Sequence, residues 1–338
     1  MSRLAAFLSR FVCLSLTLGM LLVTVQPVSA ASDWYSLTID NDLFVGSDNG
    51  YTNGIYFSWF DTPEGKDAEP GLLASAMLWS LPERVGDTQS VSVRTVGQTM
   101  VTPDDITLED PPRPPDDLPY AGLLFYSDTW VRFDAREAER IGVTIGILGE
   151  YSFAEETQTL VHAILDGDEP KGWDTQLNNE IVFQFSRGQV WRSWSAGDGS
   201  ADLLLGADAA LGTIASYVGA SVMVRYGEEL QRSFATATLG SSRVSNPIAT
   251  RAGWYLFAGL NANYLANQIF LDGNTFHNEG QEPMDYDPFT LGATLGVAYS
   301  WKNLALTFAI NDLSLAEKDD NVGEYSRYGT LTIAWRSD

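Results

Sequence analysis

The sequence has little cysteine, little histidine and few basic residues. Its one cysteine, Cys13, lies in an N-terminal apolar segment, so the rest of the chain can form no disulfide, catalytic thiolate or cysteine-ligated zinc site. Only 20 Lys and Arg stand against 44 Asp and Glu, which gives a formal net charge of −24. A surface of this sign repels the phosphates of nucleic acids and is compatible with divalent cations, although most of these carboxylates are expected only to keep the surface solvated.

Several common catalytic motifs are also absent. The chain contains no Gly-x-Ser-x-Gly nucleophile elbow, no His-Glu-x-x-His zinc motif and no glycine-rich phosphate loop. The familiar serine hydrolases, zinc hydrolases and nucleotide-binding enzymes are therefore not indicated.

Beyond the N-terminus, no apolar run reaches the length of a transmembrane helix. At the N-terminus, Arg3 and Arg10 precede an apolar run over residues 11–25, and a small-residue triplet ends at Ala30. This order is typical of a cleaved secretory signal peptide. We therefore predict a signal peptide over 1–30 and a single domain over 31–338.

Segments of about ten residues with alternating apolarity recur along the chain, as in transmembrane β-barrels. Over residues 304–311, for example, large apolar side chains alternate with Ala, Thr and Asn. A soluble β-sandwich or barrel is the alternative, because alternation alone does not say whether the apolar face meets lipid or a core. We predict an all-β fold, a twelve-stranded antiparallel transmembrane β-barrel. The strands are expected near residues 34–40, 51–60, 90–99, 122–133, 139–151, 180–190, 201–213, 215–226, 253–265, 289–300, 303–312 and 326–336.

The connections between the strands hold the distinctive stretches. If the N-terminus faces the periplasm, the connections 41–50, 100–121 and 152–179 all open on the outer side. The second is too rich in proline to be a strand. The third contains apolar residues at helical spacing over 155–165, which predicts a short helix in an outer loop. The long connection 61–89 would lie on the periplasmic side, where turns are usually short.

His162 lies on the predicted loop helix and is a candidate general base, since histidine titrates near neutral pH. The acidic residues Asp166, Asp168 and Glu169 follow closely, and a carboxylate that accepts from one ring nitrogen would leave the other free as a base. A histidine with a purely structural role is the alternative.

Residues 40–54 crowd Asp, Asn, Ser and Thr beside glycines. This composition resembles a Ca²⁺-binding loop, although the spacing is not that of an EF-hand. An ordinary Asx- and Gly-rich hairpin loop is the alternative, and composition alone favours it.

Four stretches together carry a family resemblance. They are Asn-Asp-Leu-Phe at 41–44 with Tyr-Thr-Asn-Gly at 51–54, Leu-Pro-Tyr-Ala-Gly at 118–122, His162 with Gly-Trp-Asp at 172–174 and Gln-Leu-Asn-Asn-Glu at 176–180, and Phe-Leu-Asp-Gly-Asn-Thr at 270–275. In this order they resemble the lipid A 3′-O-deacylases, LpxR-like outer-membrane proteins that remove the 3′-linked acyloxyacyl chain of lipid A. The resemblance covers essentially the whole chain after the signal peptide.

The resemblance implies a twelve-stranded barrel, calcium dependence and a histidine that activates water. Carried onto this sequence, it makes His162 the general base, places Asn41 and Asp42 in the metal and oxyanion site, makes Thr52 an active-site hydroxyl, and gives Asp168 a supporting position. One departure concerns a lysine that characterised members carry in an outer loop, because residues 68–170 contain no lysine. Arg113 is the nearest cation, and since Arg and Lys are not interchangeable, either it contacts a lipid A phosphate differently or the substrate preference differs.

The resemblance implies a Ca²⁺-dependent carboxylic ester hydrolase of the outer membrane that acts on lipid A or lipopolysaccharide. The negative charge predicts that it binds no nucleic acid, and we expect a monomer. Two other functions stay open at this point. One is an outer-membrane lipid hydrolase of the phospholipase type. The other is a channel or structural barrel without enzymatic activity.

Overall fold

The computed structural model describes residues 34–41, 44, 53–61, 68–83, 88–112, 114, 116–165, 167–231, 234, 253–278, 281–312 and 327–336. These residues form twelve antiparallel strands that pair in sequence order and close between the last strand and the first. The strands are β1 Trp34–Asn41, β2 Asn53–Asp61, β3 Gln89–Val101, β4 Ala121–Phe133, β5 Glu137–Leu148, β6 Glu180–Ser195, β7 Ala201–Gly212, β8 Ala215–Gly227, β9 Gly253–Gln268, β10 Phe289–Trp301, β11 Leu304–Asp312 and β12 Arg327–Arg336.

The predicted twelve-stranded barrel is confirmed, and most strand ends fall within three residues of their predicted positions. Closure gives every strand two partners, which is the condition for spanning a membrane with strands. β1 ends at Asn41 and β2 begins at Asn53. Asp42 and Thr52, which we expected at these strand ends, lie outside the described residues.

Alternation sorts the side chains between the lumen and the outer face of the barrel, because successive strand residues point to opposite sides. In β11, Leu304, Leu306 and Ile310 are exposed on the outer face, whereas Ala305 and Ala309 are buried in the lumen. Lumen positions in other strands carry hydroxyls that pair across strands, as Thr38 and Thr332 do at 2.8 Å. The pattern is apolar outside and small or polar inside, as in membrane barrels.

Three short helices occupy the described connections. They are α1 Leu72–Ser75, α2 Ala154–Leu165 and α3 Ile269–Asp272, with single 3₁₀ turns at Leu78–Ser80, Glu150–Ser152 and Trp173–Thr175. α2 is the predicted loop helix and lies within one residue of the predicted position. None of the described helices is long and apolar enough to cross a membrane.

Side chains from the connections fill the lumen at both ends. At the outer end, Ile269 and Phe270 of α3 pack with lumen-facing residues that include Tyr56 and Phe125. At the periplasmic end, Phe234 packs with lumen-facing residues of several strands. Among the described residues, the lumen is thus packed with apolar side chains at both ends.

Candidate functional site at the outer end of the barrel wall

Helix α2 lies against the outer face of the barrel. Gly122 of β4 and Gln98 of β3 point outward, since their neighbours Leu123 and Thr99 face the lumen. A Cβ on Gly122 would lie 2.2 Å from the Cβ of Ala154, the first residue of α2, so glycine is what allows the helix to approach the wall. Gln98 donates to the carbonyl oxygen of Ser152 at 2.6 Å and ties the preceding turn to β3.

Trp173 holds the remainder of this loop against α2. Its indole nitrogen donates to the side-chain oxygen of Gln158 at 2.8 Å, and its ring lies 4.9 Å from that of Tyr120. Both rings are buried in a cluster with Met100 and Ala154. Two stretches of the family resemblance, 118–122 and 172–174, thus meet as the support of the helix that carries His162.

The phenol of Tyr120 is held neutral within this support. Burial raises the pKa of Tyr120 to about 12, so the group stays protonated and donates to the carbonyl oxygen of Ile106 at 3.2 Å. The backbone nitrogens of Leu177 and Lys171 donate to the carbonyl oxygens of Tyr120 and Ile106. The outer connections after β3 and β5 are therefore joined to one another at the rim.

His162 lies at the last turn of α2, on the side that Ala154 and Gln158 occupy one and two turns earlier. Its Nδ1 atom lies 2.6 Å from the backbone carbonyl oxygen of Asp168. A carbonyl oxygen can only accept, so Nδ1 carries the hydrogen of this contact. In the neutral ring, Nε2 then holds the free lone pair that a general base requires.

The contact departs in one respect from what the sequence suggested. We expected the carboxylate of Asp168 to orient the imidazole, but the atom in contact is the main-chain oxygen, and the side chain of Asp168 is exposed. Asp166 lies outside the described residues. Asp168 follows the histidine by six residues. Its carbonyl reaches the imidazole because the chain turns back after the helix, where the backbone nitrogen of Gly167 donates to the carbonyl oxygen of His162.

Asn41 lies on the outer face at the end of β1, because the preceding residue, Asp40, points into the lumen and is buried. Its amide nitrogen lies 2.5 Å from the side-chain oxygen of Asn53, the opposite residue on β2. Two amide side chains from adjacent strands therefore share the outer rim. Asn53 was not among the predicted site residues, although its place in the Tyr-Thr-Asn-Gly stretch was a signal for it.

Strand pairing relates Asn41 to the helix. Asn53 lies opposite Met100 of β3, and Met100 packs against Ala154 of α2. Adjacent strands are about 4.8 Å apart, and the eight residues from Ala154 to His162 span about 12 Å along the helix. The amide pair therefore ends on β2, the strand next to the one against which α2 begins.

The other predicted site residues, Asp42, Thr52 and Arg113, lie outside the described residues. Among those described, no group of three or more His, Cys, Asp or Glu side chains is placed to hold a metal ion. The amide oxygens of Asn41 and Asn53 are hard ligands of the kind that Ca²⁺ takes, but two fall short of the six to eight that it needs. The donor chemistry is compatible with calcium, and further oxygen ligands would have to come from Asp42 and neighbouring residues.

The last stretch of the resemblance closes the outer mouth of the barrel. Asn274 exchanges two hydrogen bonds with the backbone of Asn178, at 2.9 and 2.8 Å. The buried carboxylate of Glu180 accepts from Asn274 and from the backbone nitrogens of Thr275 and Phe276. This clasp is structural, and His277 beside it is 63% exposed.

Comparison with known proteins agrees with this architecture. A family model described as outer membrane protein LpxR matches residues 12–337. The solved structure of LpxR from Salmonella typhimurium superposes with a TM-score of 0.71 at 16% identity, over 89% of this chain and 99% of that one. No match was found among curated protein sequences.

Other barrels are much less similar. A KdgM porin gives a TM-score of 0.38 at 5% identity, over 90% of this chain and 99% of that one. The translocator domain of the autotransporter NalP from Neisseria meningitidis gives 0.37 at 9% identity, over 98% and 97%. Neither carries an argument about this chain. The family match spans nearly the whole sequence and agrees with the predicted family, so this protein belongs to the LpxR family of outer-membrane proteins.

Proposed function

We propose that this protein hydrolyses the 3′-linked acyl ester of lipid A in the outer leaflet, with water activated by His162. Family membership supports the substrate class. The observation that carries the mechanism is the contact between His162 Nδ1 and the carbonyl of Asp168, which leaves Nε2 as the free base of the imidazole.

The position of the histidine suits a lipid substrate. α2 lies on the outside of the barrel at its outer end, where lipid A in the surrounding leaflet can reach the wall sideways. The lumen is packed at both ends. Because the helix lies outside the barrel, the substrate can reach it without passing through the lumen. Exposed apolar side chains on this loop, including Phe153 and Leu160, are available to contact acyl chains.

The reaction is a direct attack by water on the ester carbonyl carbon. His162 Nε2 removes a proton from the attacking water as the new C–O bond forms, and returns it to the sugar oxygen as the ester C–O bond breaks. The products are the free fatty acid and the sugar hydroxyl. Nδ1 keeps its hydrogen throughout, held by the carbonyl of Asp168.

Calcium is part of the proposal. Asn41 and Asp42 would hold it, and when bound it would supply positive charge for the carbonyl oxygen as that oxygen becomes negative. Thr52 and Asn53 would complete the polar rim beside it, and Arg113 would contact a phosphate of lipid A.

Lipid A mass spectrometry tests the proposal directly. Cells that express the protein should yield lipid A lighter by the 3′-linked acyloxyacyl group. His162→Gln should lower deacylation by about 10²- to 10⁴-fold, the usual contribution of a general base. His277→Gln is the matched control, since this exposed histidine belongs to the clasp, and it should keep full activity.

Both variants should retain the heat-dependent gel shift of a folded barrel. The mechanism is wrong if His277→Gln loses deacylation and His162→Gln keeps it. Unchanged lipid A with released phospholipid fatty acids would instead indicate a phospholipase, and unchanged lipids with ion conductance in planar bilayers would indicate a channel.

A further inference from the structure

A second segment lies on the outer face of the barrel, at the end opposite α2. Residues 68–83, called the collar here, belong to the connection between β2 and β3 and include α1. Val91 and Val131 point into the lumen, so the adjacent Ser90 and Trp130 point outward. Both donate to the carbonyl oxygen of Ala68, at 2.9 and 2.7 Å, which fixes the start of the collar to the outer wall.

The inner face of the collar covers polar wall residues that would otherwise meet lipid. Asp128 of β4 is fully buried beneath it, and one carboxylate oxygen accepts from the backbone nitrogens of Leu73 and Ala74. Arg132 donates to the carbonyl of Pro82 at 2.8 Å. An uncovered carboxylate on a lipid-facing wall is costly, so the collar and the wall beneath it form one built surface.

The outer face of the collar is apolar and uncovered. Leu72 is 88% exposed and Trp79 is 85% exposed, and Leu78 is partly exposed beside them. Between Glu69 and Glu83 the collar contains no charged side chain. Two large apolar side chains this exposed, on a segment without charge, are unusual at a surface that faces water.

The position of the collar on the barrel indicates that this exposed face meets the membrane. The collar packs on Ile141 of β5, and Ile145, four residues further along that strand, is 44% exposed on the same wall. The apolar face of the collar is therefore continuous with the wall that meets acyl chains. Tryptophan beside such a wall is typical of the membrane–water interface.

We propose that the collar is an interfacial anchor that inserts Leu72 and Trp79 into the phospholipids of the inner leaflet. The anchor lies on the same side of the barrel as α2, because both segments pack on β3 and β4. On this side of the barrel, α2 therefore lies at the outer surface of the membrane and the collar at the periplasmic surface.

Site-directed fluorescence tests the anchor. In a Cys13→Ser background the chain has no cysteine, so Leu72→Cys and Trp79→Cys can each carry a single nitrobenzoxadiazole label. Leu260→Cys, near the middle of the exposed wall of β9, is the lipid control. Gly197→Cys in the turn after β6, where nothing lies within 4 Å of an added Cβ, is the aqueous control. Proteins are reconstituted in phosphatidylethanolamine and phosphatidylglycerol vesicles that contain doxyl-labelled phosphatidylcholine.

Labels at positions 72 and 79 should be several-fold brighter than the label at 197. Doxyl groups near the headgroups should quench them more strongly than doxyl groups deep in the chain, whereas the label at 260 should be quenched most strongly by the deep doxyl groups. Labels at 72 and 79 that behave like the label at 197 would overturn the proposal. Efficient disulfide-linked dimerisation of Trp79→Cys in the vesicles would also overturn it, because a second copy would then cover the face.

Discussion

The two sides of the barrel are built differently. On β9 and β10 the outward residues are apolar along the strand, and from Trp254 to Tyr264 they span ten steps, or about 25 Å across the membrane at the usual strand tilt. On β3 and β4 the outward face carries Gln98, Arg94 and Asp128, and little more than Val96, Leu124 and Tyr126 remain between the two covering segments.

The difference shows what an interruption of alternation means. On β9 and β10, where lipid alone touches the wall, the outward positions between Trp254 and Tyr264 and between Phe289 and Trp301 are apolar. Where a connection folds back onto the wall, the outward positions become partners for its backbone and side chains, as Asp128 does for the collar and Gln98 does for the turn before α2. Polar outward residues therefore mark the covered side, and that side carries the candidate site.

The largest expected effect is at the proposed calcium site. Asp42→Asn keeps the size of the side chain and removes its charge, so calcium binding should weaken and deacylation at low calcium should fall on the order of a hundredfold, as for loss of an oxyanion donor. Deacylation in detergent, measured across a calcium series with a chelator, checks this. Full activity of the unaltered protein in excess chelator would contradict the calcium part of the mechanism.

A charge on the uncovered side should damage the fold instead of the chemistry. Leu260 faces outward near the middle of β9 and is about half exposed. Leu260→Arg should lower the free energy of unfolding by about 2–4 kcal/mol, the cost of arginine at the bilayer midplane. Arg187, a native arginine that faces outward on β6, does not contradict this cost, because its charge is paired with Glu139 at 2.8 Å. Urea unfolding in vesicles measures the change, and a stability equal to that of the unaltered protein would show that β9 does not face acyl chains.

A smaller effect is expected where α2 is held to the wall. Trp173→Phe keeps a buried ring and removes the hydrogen bond to Gln158, worth about 1 kcal/mol, so helix docking should weaken and the rate fall up to roughly fivefold. Trp194→Phe, at a half-exposed position near the periplasmic end of β6, is the matched control and should not change the rate. Equal rates for the two variants would mean that this bond does not position the helix.

The smallest effect is expected at Asp168. The imidazole contacts the main-chain oxygen of this residue, and alanine supplies the same oxygen, so Asp168→Ala should change the rate by no more than about twofold. A fall of about tenfold or more would restore the carboxylate role that the sequence suggested. The measurement is kcat/KM for lipid A deacylation in detergent micelles.

Much of the fold could be predicted because strand alternation is a local property. A strand that faces lipid on one side and a packed lumen on the other must alternate, so residues 253–268 and 304–312 could be recognised without knowledge of their partners. Helix α2 was also predicted from the spacing of its apolar residues, but that spacing did not say which face of the helix is buried. Leu160 is half exposed, and Ala154 and Gln158 face the wall. In a soluble protein the apolar face of a helix is normally its buried face. Beside a membrane, the exposed face of a loop helix can be apolar instead.

The site itself was less predictable. Asp40 and Asn41 are adjacent in a stretch that suggested a single metal loop, yet Asp40 is buried in the lumen and Asn41 lies on the outer face. Gln98 and Gln158 have no local pattern of their own, because each acts through a partner on another element. Asn53 was signalled only by its place in the Tyr-Thr-Asn-Gly stretch, and its partner lies on the adjacent strand.

The sequence by itself determined the barrel, the order of its strands and His162 as the candidate base, because alternation, spacing and the scarcity of histidine are written along the chain. Only the tertiary structure decided that the helix with the candidate base lies on the outside of the wall and that a main-chain carbonyl contacts the imidazole. It also decided that a second segment covers the wall below. These features depend on which connections fold back onto which strands, and contacts between segments far apart in the chain leave no periodic signal in either one.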